Sequence, residues 1–234
     1  MSVLWKDHKI LEGTHAFLGA SNYHWLNYTN DILINRYANH FATDVGTAMH
    51  ELASFLIKNR IKINKTDKHL VEVKLTEIGI PRNCYDPDYL LNVLVPFVRD
   101  AIGFRMDSEI LLFADFLCYG TADAIQYYEV QRLLRIHDLK TGANQASFKQ
   151  LVIYAALFYL EYKKNPFENT TILRIYQNLT LTEDNAAKMK EQGIDICEDY
   201  LEVTIEPNII KDVIDKIKDS VNLLRLSQGK EPIE

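Results

Sequence analysis

Apolar positions along the chain recur at two spacings, one helical and one strand-like. Helical spacing occurs in three segments, residues 44–59, 147–164 and 208–226. A fourth helix is predicted in residues 85–104, where Pro87 suits the first turn and Pro96 should disturb the interior. The last of these helices is amphipathic, whereas residues 147–164 are apolar on nearly all sides, as expected for a helix that packs on a sheet.

Shorter runs rich in β-branched and aromatic residues predict five strands. They cover residues 108–115, 117–128, 132–141, 170–181 and 200–206. This succession of elements predicts an α/β fold, with a central mixed β-sheet of about five strands flanked by helices on both sides. No repeat, low-complexity tract or Gly/Ser-rich linker divides the chain, so we predict a single domain over residues 1–234 with a helical N-terminal part. Residues 70–83 give no clear pattern.

Bulk composition narrows the class of protein. Hydrophobic residues make up 47% of the chain, which is sufficient for a large core in 234 residues. The net charge of −6 argues against a protein that coats nucleic acid by bulk electrostatics, although it is compatible with a local basic groove. The longest apolar run, residues 151–160, is shorter than the roughly 20 residues that span a bilayer, and the charged N-terminus lacks a secretory pattern. We therefore expect a cytoplasmic protein with no membrane partner.

An acid and a lysine lie at the end of the third predicted strand. Alternate side chains of a strand share a face, so Asp138 and Lys140 lie on the side of Ile136. Asp123 lies on the preceding strand, three residues after Gly120, which permits a close backbone approach. Carboxylates at matching ends of neighbouring strands can share a divalent cation, and a lysine can offset the charge that develops on a phosphodiester during hydrolysis. A D-x-K sequence alone is more often a solvated surface pair, so the neighbouring motifs decide between these interpretations.

Four short segments carry a resemblance to a known superfamily. They are GTAMHE (residues 46–51), GTAD (120–123), DLKTG (138–142) and QLVIY (150–154). In order and spacing they resemble the motifs of the RecB-like branch of the PD-(D/E)XK nuclease superfamily, over about residues 15–206. This branch includes RecB nuclease domains, CRISPR-associated RecB-like exonucleases and many phage proteins. Four ordered motifs are far more specific than any one of them.

The resemblance implies a restriction-endonuclease-like core and a metal site within it. His50 matches the histidine that supplies a nitrogen ligand, and Asp123 and Asp138 match the two acidic ligands. The carbonyl of Leu139 would complete the metal ligands, and Lys140 matches the catalytic lysine. A buried histidine that is only hydrogen-bonded is the more common finding for an isolated His50, and the accompanying motifs favour the ligand role.

The resemblance also assigns Gln150 and Tyr154 to a pair that lies near the site and the DNA. Four residues are about one helical turn, so the two side chains share a face. A capping box formed by Ser147 and Gln150 is an alternative explanation of the glutamine. Glu109 resembles a family glutamate upstream of the G-x-x-D motif, but charges at strand edges usually face solvent, so it is an outside candidate.

Three further groups of charged residues have simpler explanations. Glu51 adjoins His50 but points about 100° away around the helix, towards solvent. Asp86 precedes Pro87 and is expected to cap the helix that begins there. Basic residues of the segment after residue 57 could follow a DNA backbone, although runs of charge are usually solvated; they are Lys58, Arg60, Lys62, Lys65 and Lys68.

The resemblance implies a metal-dependent DNA nuclease that acts on single- or double-stranded DNA and leaves 5′-phosphates, in recombination, repair or phage DNA processing. An exonuclease is favoured over a site-specific endonuclease because no recognition domain is evident. Two alternatives remain open. The chain could be a nuclease-fold module that binds nucleic acid or protein without cutting, or a subunit that is active only with a helicase or recombinase partner.

The candidate ligands also bear on the cofactor. Mg²⁺ or Mn²⁺ suits carboxylate ligands, and an imidazole ligand such as His50 favours Mn²⁺ at least as strongly as Mg²⁺. Some RecB-like exonucleases bind an iron–sulfur cluster through four cysteines, three of them near the C-terminus. This chain has three cysteines, of which only Cys197 lies there, so we expect no iron–sulfur cluster and reduced thiols.

Overall fold

The computed structural model describes residues 16–18, 20–142, 147–178 and 181–232. The α-helices within these ranges are α1 (Asn30–His40), α2 (Ala42–Lys58), α3 (Lys68–Glu77), α4 (Pro87–Gly103), α5 (Lys149–Glu161), α6 (Glu183–Glu191) and α7 (Pro207–Ser227). The strands are β1 (Asp107–Asp115), β2 (Cys118–Tyr128), β3 (Leu133–Lys140), β4 (Thr170–Gln177), β5 (Asp195–Ile196) and β6 (Leu201–Ile205). Short 3₁₀ helices cover Ala20–Asn27, Arg82–Cys84 and Pro166–Glu168.

The strands form one mixed sheet in the order β1-β2-β3-β4-β6-β5. The pair β3 and β4 is parallel and is joined by a crossover through α5, while the other neighbours are antiparallel. Helices pack on both faces, so the predicted mixed α/β architecture is confirmed, with a sixth short strand beside the expected five. The restriction-endonuclease-like identity of this core stays a prediction.

Each sheet face has its own apolar core. On one face α2, α3 and α4 contribute a cluster that includes Met49, Leu94 and Phe97. On the other face α5 and α7 enclose a second cluster that includes Ile136 and Leu157. Strand β3 contributes to both, since Leu134 and Ile136 belong to the second cluster and Leu139 to the first. The predicted alternation along this strand is therefore confirmed.

Helix α4 begins at a capping aspartate and contains two prolines, Pro87 and Pro96. The Asp86 carboxylate accepts a hydrogen bond from the Asp88 backbone N–H at 2.9 Å, so the predicted cap is confirmed. Pro87 occupies the first turn. Helix α4 continues through Pro96 to Gly103, so this proline does not end the helix. Pro96 is buried beside Val93 and Phe97, and this packing outweighs the missing backbone hydrogen bond.

A buried ion network ties α4 to the strands behind it. Arg174 of β4 contacts Asp100 of α4 at 2.7 Å and Glu202 of β6 at 2.6 Å. The Tyr176 hydroxyl also donates to Asp100 at 2.8 Å. A second arginine, Arg135 of β3, lies 3.0 Å from Glu202. The network joins a helix and three strands through charged groups that are largely removed from water.

Two expectations from composition concern the cysteines and the membrane. The thiols of Cys84, Cys118 and Cys197 are free of disulfides. Among the helices that the structure describes, none combines the length and apolar character required to cross a bilayer.

Candidate metal and catalytic site

In the hairpin of β1 and β2, Ser108 pairs with Ala124 and Ile110 with Ala122, which places Glu109 at the level of Asp123. The backbone of Glu109 has φ of 55°, in the left-handed region, which costs a residue with a side chain about 1–2 kcal/mol. On the N-terminal side of Glu109, the hydroxyl oxygen of Ser108 lies 3.0 Å from that of Ser54 in α2. Beyond it Leu112 is buried in the cluster beneath α5. The side chains of β1 therefore pack towards α2 before Glu109 and towards α5 after it, and the change occurs at the level of Asp123.

Helix α2 brings His50 to these two acids. Its neighbours Met49 and Ala53 are buried in the core, which leaves His50 at the edge with a side chain that is 30% exposed. The His50 Nδ1 atom lies 3.2 Å from Asp123 Oδ1. One nitrogen of His50 and one oxygen each of Glu109 and Asp123 lie within 4.8 Å of one another. Three separate elements therefore converge on one small volume.

Strand β3 supplies an acid and a lysine beside this cluster. Asp138 is only 2% exposed, and its Oδ2 atom forms an ion pair with Lys140 Nζ at 3.0 Å. The geometry of this contact does not meet the criteria of a hydrogen bond. The backbone N–H of Leu139 donates to Asp123 Oδ2 at 2.8 Å. Asp123 is therefore held between His50 on one oxygen and the β3 backbone on the other.

Helix α5 adds two side chains that contact the lysine in series. Lys140 Nζ donates to Gln150 Oε1 at 2.9 Å, and Gln150 Nε2 donates to the Tyr154 hydroxyl at 2.7 Å. Their shared helix face is therefore confirmed. Ser147 Oγ accepts from the Lys149 N–H at 3.3 Å, while both amide atoms of Gln150 are engaged with other groups. A capping box is therefore the wrong explanation for Gln150.

Burial and crowding of acids dominate the electrostatics. Burial, followed by the charge of Asp123, raises the pKa of Asp138 to about 6, although Lys140 and His50 oppose the shift. Burial and then Asp123 also raise the pKa of Glu109. Burial alone would lower the pKa of His50, but its contact with Asp123 and the charges of Asp138 and Glu109 outweigh this effect and raise it. Such excess negative charge favours a cation.

The donor set fits a divalent ion. One imidazole and two carboxylates suit Mn²⁺ or a similar cation and leave positions for water and phosphate oxygens. Of the metal ligands expected from sequence, His50 and Asp123 lie in the close cluster, Asp138 lies beside it, and Leu139 contacts Asp123 through its N–H. The ligand roles of Asp138 and the Leu139 carbonyl stay predictions.

Glu109 is the site residue to which sequence reasoning gave too little weight. Glu109 is exposed, as expected of a charge at a strand edge, but one of its carboxylate oxygens also lies within 4.8 Å of ligand atoms of His50 and Asp123. A signal exists in the sequence. If β1 and β2 form a hairpin with its turn near residue 116, antiparallel pairing places Glu109 opposite Asp123.

Other charged candidates are engaged away from this cluster. Glu51 contacts Lys74 Nζ at 2.7 Å and is 59% exposed along its side chain, so its expected position is confirmed. In the basic segment, Lys68 pairs with Asp88 at 2.8 Å, and Arg60 contacts the Ile102 carbonyl at 3.5 Å. A role of that segment in DNA binding stays a prediction.

Comparison of the chain with family models, with curated proteins and with solved structures finds no match. The similarity to RecB-like nucleases accordingly rests on the four motifs. A function must therefore be argued from the geometry of the motif residues and of Glu109.

Proposed function

We propose that this chain is a divalent-metal-dependent deoxyribonuclease. The observation that carries the proposal is the convergence of His50, Glu109 and Asp123 within 4.8 Å, with the Asp138–Lys140 pair beside Asp123. Clustered acids and an imidazole can hold a divalent ion for phosphodiester hydrolysis, and a lysine can offset the charge that develops on the phosphate. The order of the motifs, which resembles that of RecB-like nucleases, supports the same chemistry.

In the proposed site His50, Glu109 and Asp123 would hold the cation, and Asp138, which lies beside Asp123, would be a further ligand. A bound divalent ion supplies positive charge that stabilises the additional negative charge on the phosphate during attack. The Leu139 N–H fixes one oxygen of Asp123, so the other is directed towards His50. This arrangement orients the donors before a ligand binds.

Lys140 is the proposed catalytic lysine. Its ammonium is held by Asp138 at 3.0 Å and Gln150 at 2.9 Å and keeps further donor capacity for a water or a phosphate oxygen. Hydrolysis forms a bond from the water oxygen to phosphorus and breaks the bond from phosphorus to O3′. The products are a 5′-phosphate and a 3′-hydroxyl, which takes up a proton that the water releases.

The resemblance supports an exonuclease of recombination, repair or phage DNA processing, acting alone or with a helicase or recombinase partner. The imidazole of His50 adds a preference, since it suits Mn²⁺ better than Mg²⁺. We expect turnover in Mn²⁺ at least equal to that in Mg²⁺ at matched concentration. Clearly superior turnover in Mg²⁺, with His50→Ala unchanged, would show that His50 is no ligand.

The deciding experiment incubates end-labelled linear DNA and circular DNA, each single- and double-stranded, with Mn²⁺ or Mg²⁺. Cleavage of linear but not circular DNA indicates an exonuclease. Asp138→Ala should abolish cleavage, whereas Glu51→Gln, an exposed acid next to His50, should retain it. If the wild-type protein binds these substrates and cuts none of them, the nuclease proposal fails and the non-cutting module is favoured.

A further inference from the structure

Gly120 of β2 lies under the ring of Tyr154. A Cβ atom at position 120 would lie 2.8 Å from Tyr154 Cε1, 3.6 Å from Cδ1 and 3.8 Å from Cζ. The first distance is shorter than the distance at which non-bonded carbon atoms pack. The atom concerned belongs to a rigid ring rather than to the end of a flexible side chain. Any residue other than glycine would therefore displace Tyr154 from the strand.

Backbone conformation does not explain this glycine. The described glycines with left-handed φ are Gly79, Gly193 and Gly229, and Gly120 is not among them. Glycine inside a strand is also less favourable than alanine by roughly 0.5–1 kcal/mol. The steric contact with Tyr154 is thus the feature that requires Gly120. Gly46 differs, because a Cβ there would meet Thr141 Oγ1 only at 3.4 Å.

The displaced ring would affect the lysine through an unbroken series of contacts. The Tyr154 hydroxyl accepts from Gln150 Nε2 at 2.7 Å, and Gln150 Oε1 accepts from Lys140 Nζ at 2.9 Å. Tyr154 therefore holds the Gln150 side chain within reach of Lys140. The ammonium can only donate, so Lys140 itself selects the orientation in which the Gln150 carbonyl oxygen faces it, whereas the phenol can donate or accept.

We infer that Gly120 is a positioning residue, which seats the Tyr154 ring so that Tyr154 holds Gln150 within hydrogen-bonding distance of Lys140. The effect of this positioning on catalysis, through the placement of Lys140 during hydrolysis, rests on the proposed nuclease function. It also gives the glycine of the GTAD segment a role separate from that of Asp123, three residues later in β2.

The kinetic test replaces Gly120 by alanine. Because a misplacement of about 1 Å can cost about 10²-fold in rate, we expect Gly120→Ala to lower kcat by roughly that factor. The KM for DNA should change much less, since Lys140 acts on the reacting phosphate. Gly103→Ala is the matched control, because no atom lies within 4 Å of a Cβ at that position. It should leave kcat and KM unchanged.

A double-mutant cycle separates positioning from general damage to β2. If Gly120→Ala acts by displacing the ring, the same substitution in a Tyr154→Ala background should change kcat by less than about twofold. A loss as large as in the wild-type background would overturn the inference. Near-wild-type kcat for Gly120→Ala alone would also overturn it and leave the nuclease proposal intact.

A spectroscopic measurement decides the case even if the wild-type protein cuts nothing and the nuclease proposal fails. The Nζ resonance of Lys140 in nitrogen-labelled protein, assigned with Lys140→Arg, reports on its hydrogen bond to Gln150. We expect this resonance in Gly120→Ala to move towards its position in Gln150→Leu, while Gly103→Ala leaves it unmoved. An unchanged resonance in Gly120→Ala would overturn the inference whatever the activity.

Discussion

Asp138 is a carboxylate that the fold buries almost completely beside another acid. Its ionised form lacks the solvation of water, and Lys140 and His50 only partly replace it, so its pKa rises to about 6. An acid whose folded pKa lies above the unfolded value of about 3.9 makes the folded protein less stable as it ionises. Ionised Asp138 therefore lowers the stability of the metal-free protein, and its proposed catalytic role would explain why it is kept.

This cost predicts how Asp138→Asn changes stability with pH. Between about pH 4 and pH 6 the folded wild type binds more protons than the unfolded chain, so its free energy of unfolding falls as pH rises. The uncharged asparagine should remove that slope and be more stable than wild type by roughly 2–3 kcal/mol at about pH 8. Below about pH 3 the difference should vanish, because Asp138 is then neutral in both the folded and the unfolded chain.

Urea unfolding in the presence of a chelator measures this difference across the pH range. Asp219→Asn, an exposed aspartate of α7, is the control and should follow the wild type throughout. A constant difference between wild type and Asp138→Asn at all pH values would contradict the explanation.

At the scale of elements, β1 holds Glu109 in a conformation that favours glycine. A left-handed backbone costs about 1–2 kcal/mol for any residue with a Cβ and recurs at functional sites. We therefore expect Glu109→Gly to unfold with a free energy about 1 kcal/mol above that of Glu109→Ala, although strand interiors normally show the reverse order. Chemical denaturation of the two variants measures the difference. Greater stability of Glu109→Ala would show that β1 carries no strain there.

The ion network around Arg174 gives a second prediction at this scale. Its guanidinium is 6% exposed and contacts both Asp100 and Glu202, so Arg174→Met should leave each of these acids with only one other arginine and cost about 3 kcal/mol. Arg99 also pairs with Asp100 but is 56% exposed, and Arg99→Met should cost about 1 kcal/mol or less. Urea unfolding of both variants measures the contrast. Equal losses would mean that the network contributes no more than a surface pair.

Elements with a strong apolar pattern could be predicted from the sequence, and those without one could not. Helix α1 has no buried residue, and α6 buries only Met189, so neither displays the stripe that identifies a helix. Helix α3 buries Val71 and Leu75 but is otherwise polar, which explains why residues 70–83 gave no pattern. The hydroxyls of Thr29 and Thr182 cap α1 and α6, whereas α3 has no side-chain cap and is held by the packing of Val71 and Leu75 in the core.

The candidate site divides in the same way. The order of the motifs was sufficient to select His50, Asp123 and Lys140, because local sequence and resemblance both bear on them. The place of Glu109 depends on a left-handed backbone within a strand, and that of Tyr154 on the lack of a side chain at Gly120. Both are relations between one element and another, which periodicity along a single element does not contain.

For the whole molecule, a net charge of −6 and a cluster of acids favour binding of cations to the folded state. An ion that binds only the folded protein at about 100 times its Kd adds about 2.7 kcal/mol. For a chain of this size that corresponds to a rise in Tm of roughly 5–10 °C. Mn²⁺ at saturating concentration should therefore raise the Tm of the wild type at about pH 7.5, relative to a chelator.

This stabilisation should disappear as pH falls to about 5.5, because protons compete with the cation for the same atoms. His50 must be neutral to offer its nitrogen, and its pKa is raised, while Asp138 has a pKa of about 6 and becomes protonated in the same range. Thermal unfolding with Mn²⁺ or a chelator at both pH values measures the effect. Asp123→Asn should lose the Mn²⁺-dependent rise and Glu51→Gln should keep it. An equal rise at both pH values, or one that survives in Asp123→Asn, would place the cation elsewhere on the molecule.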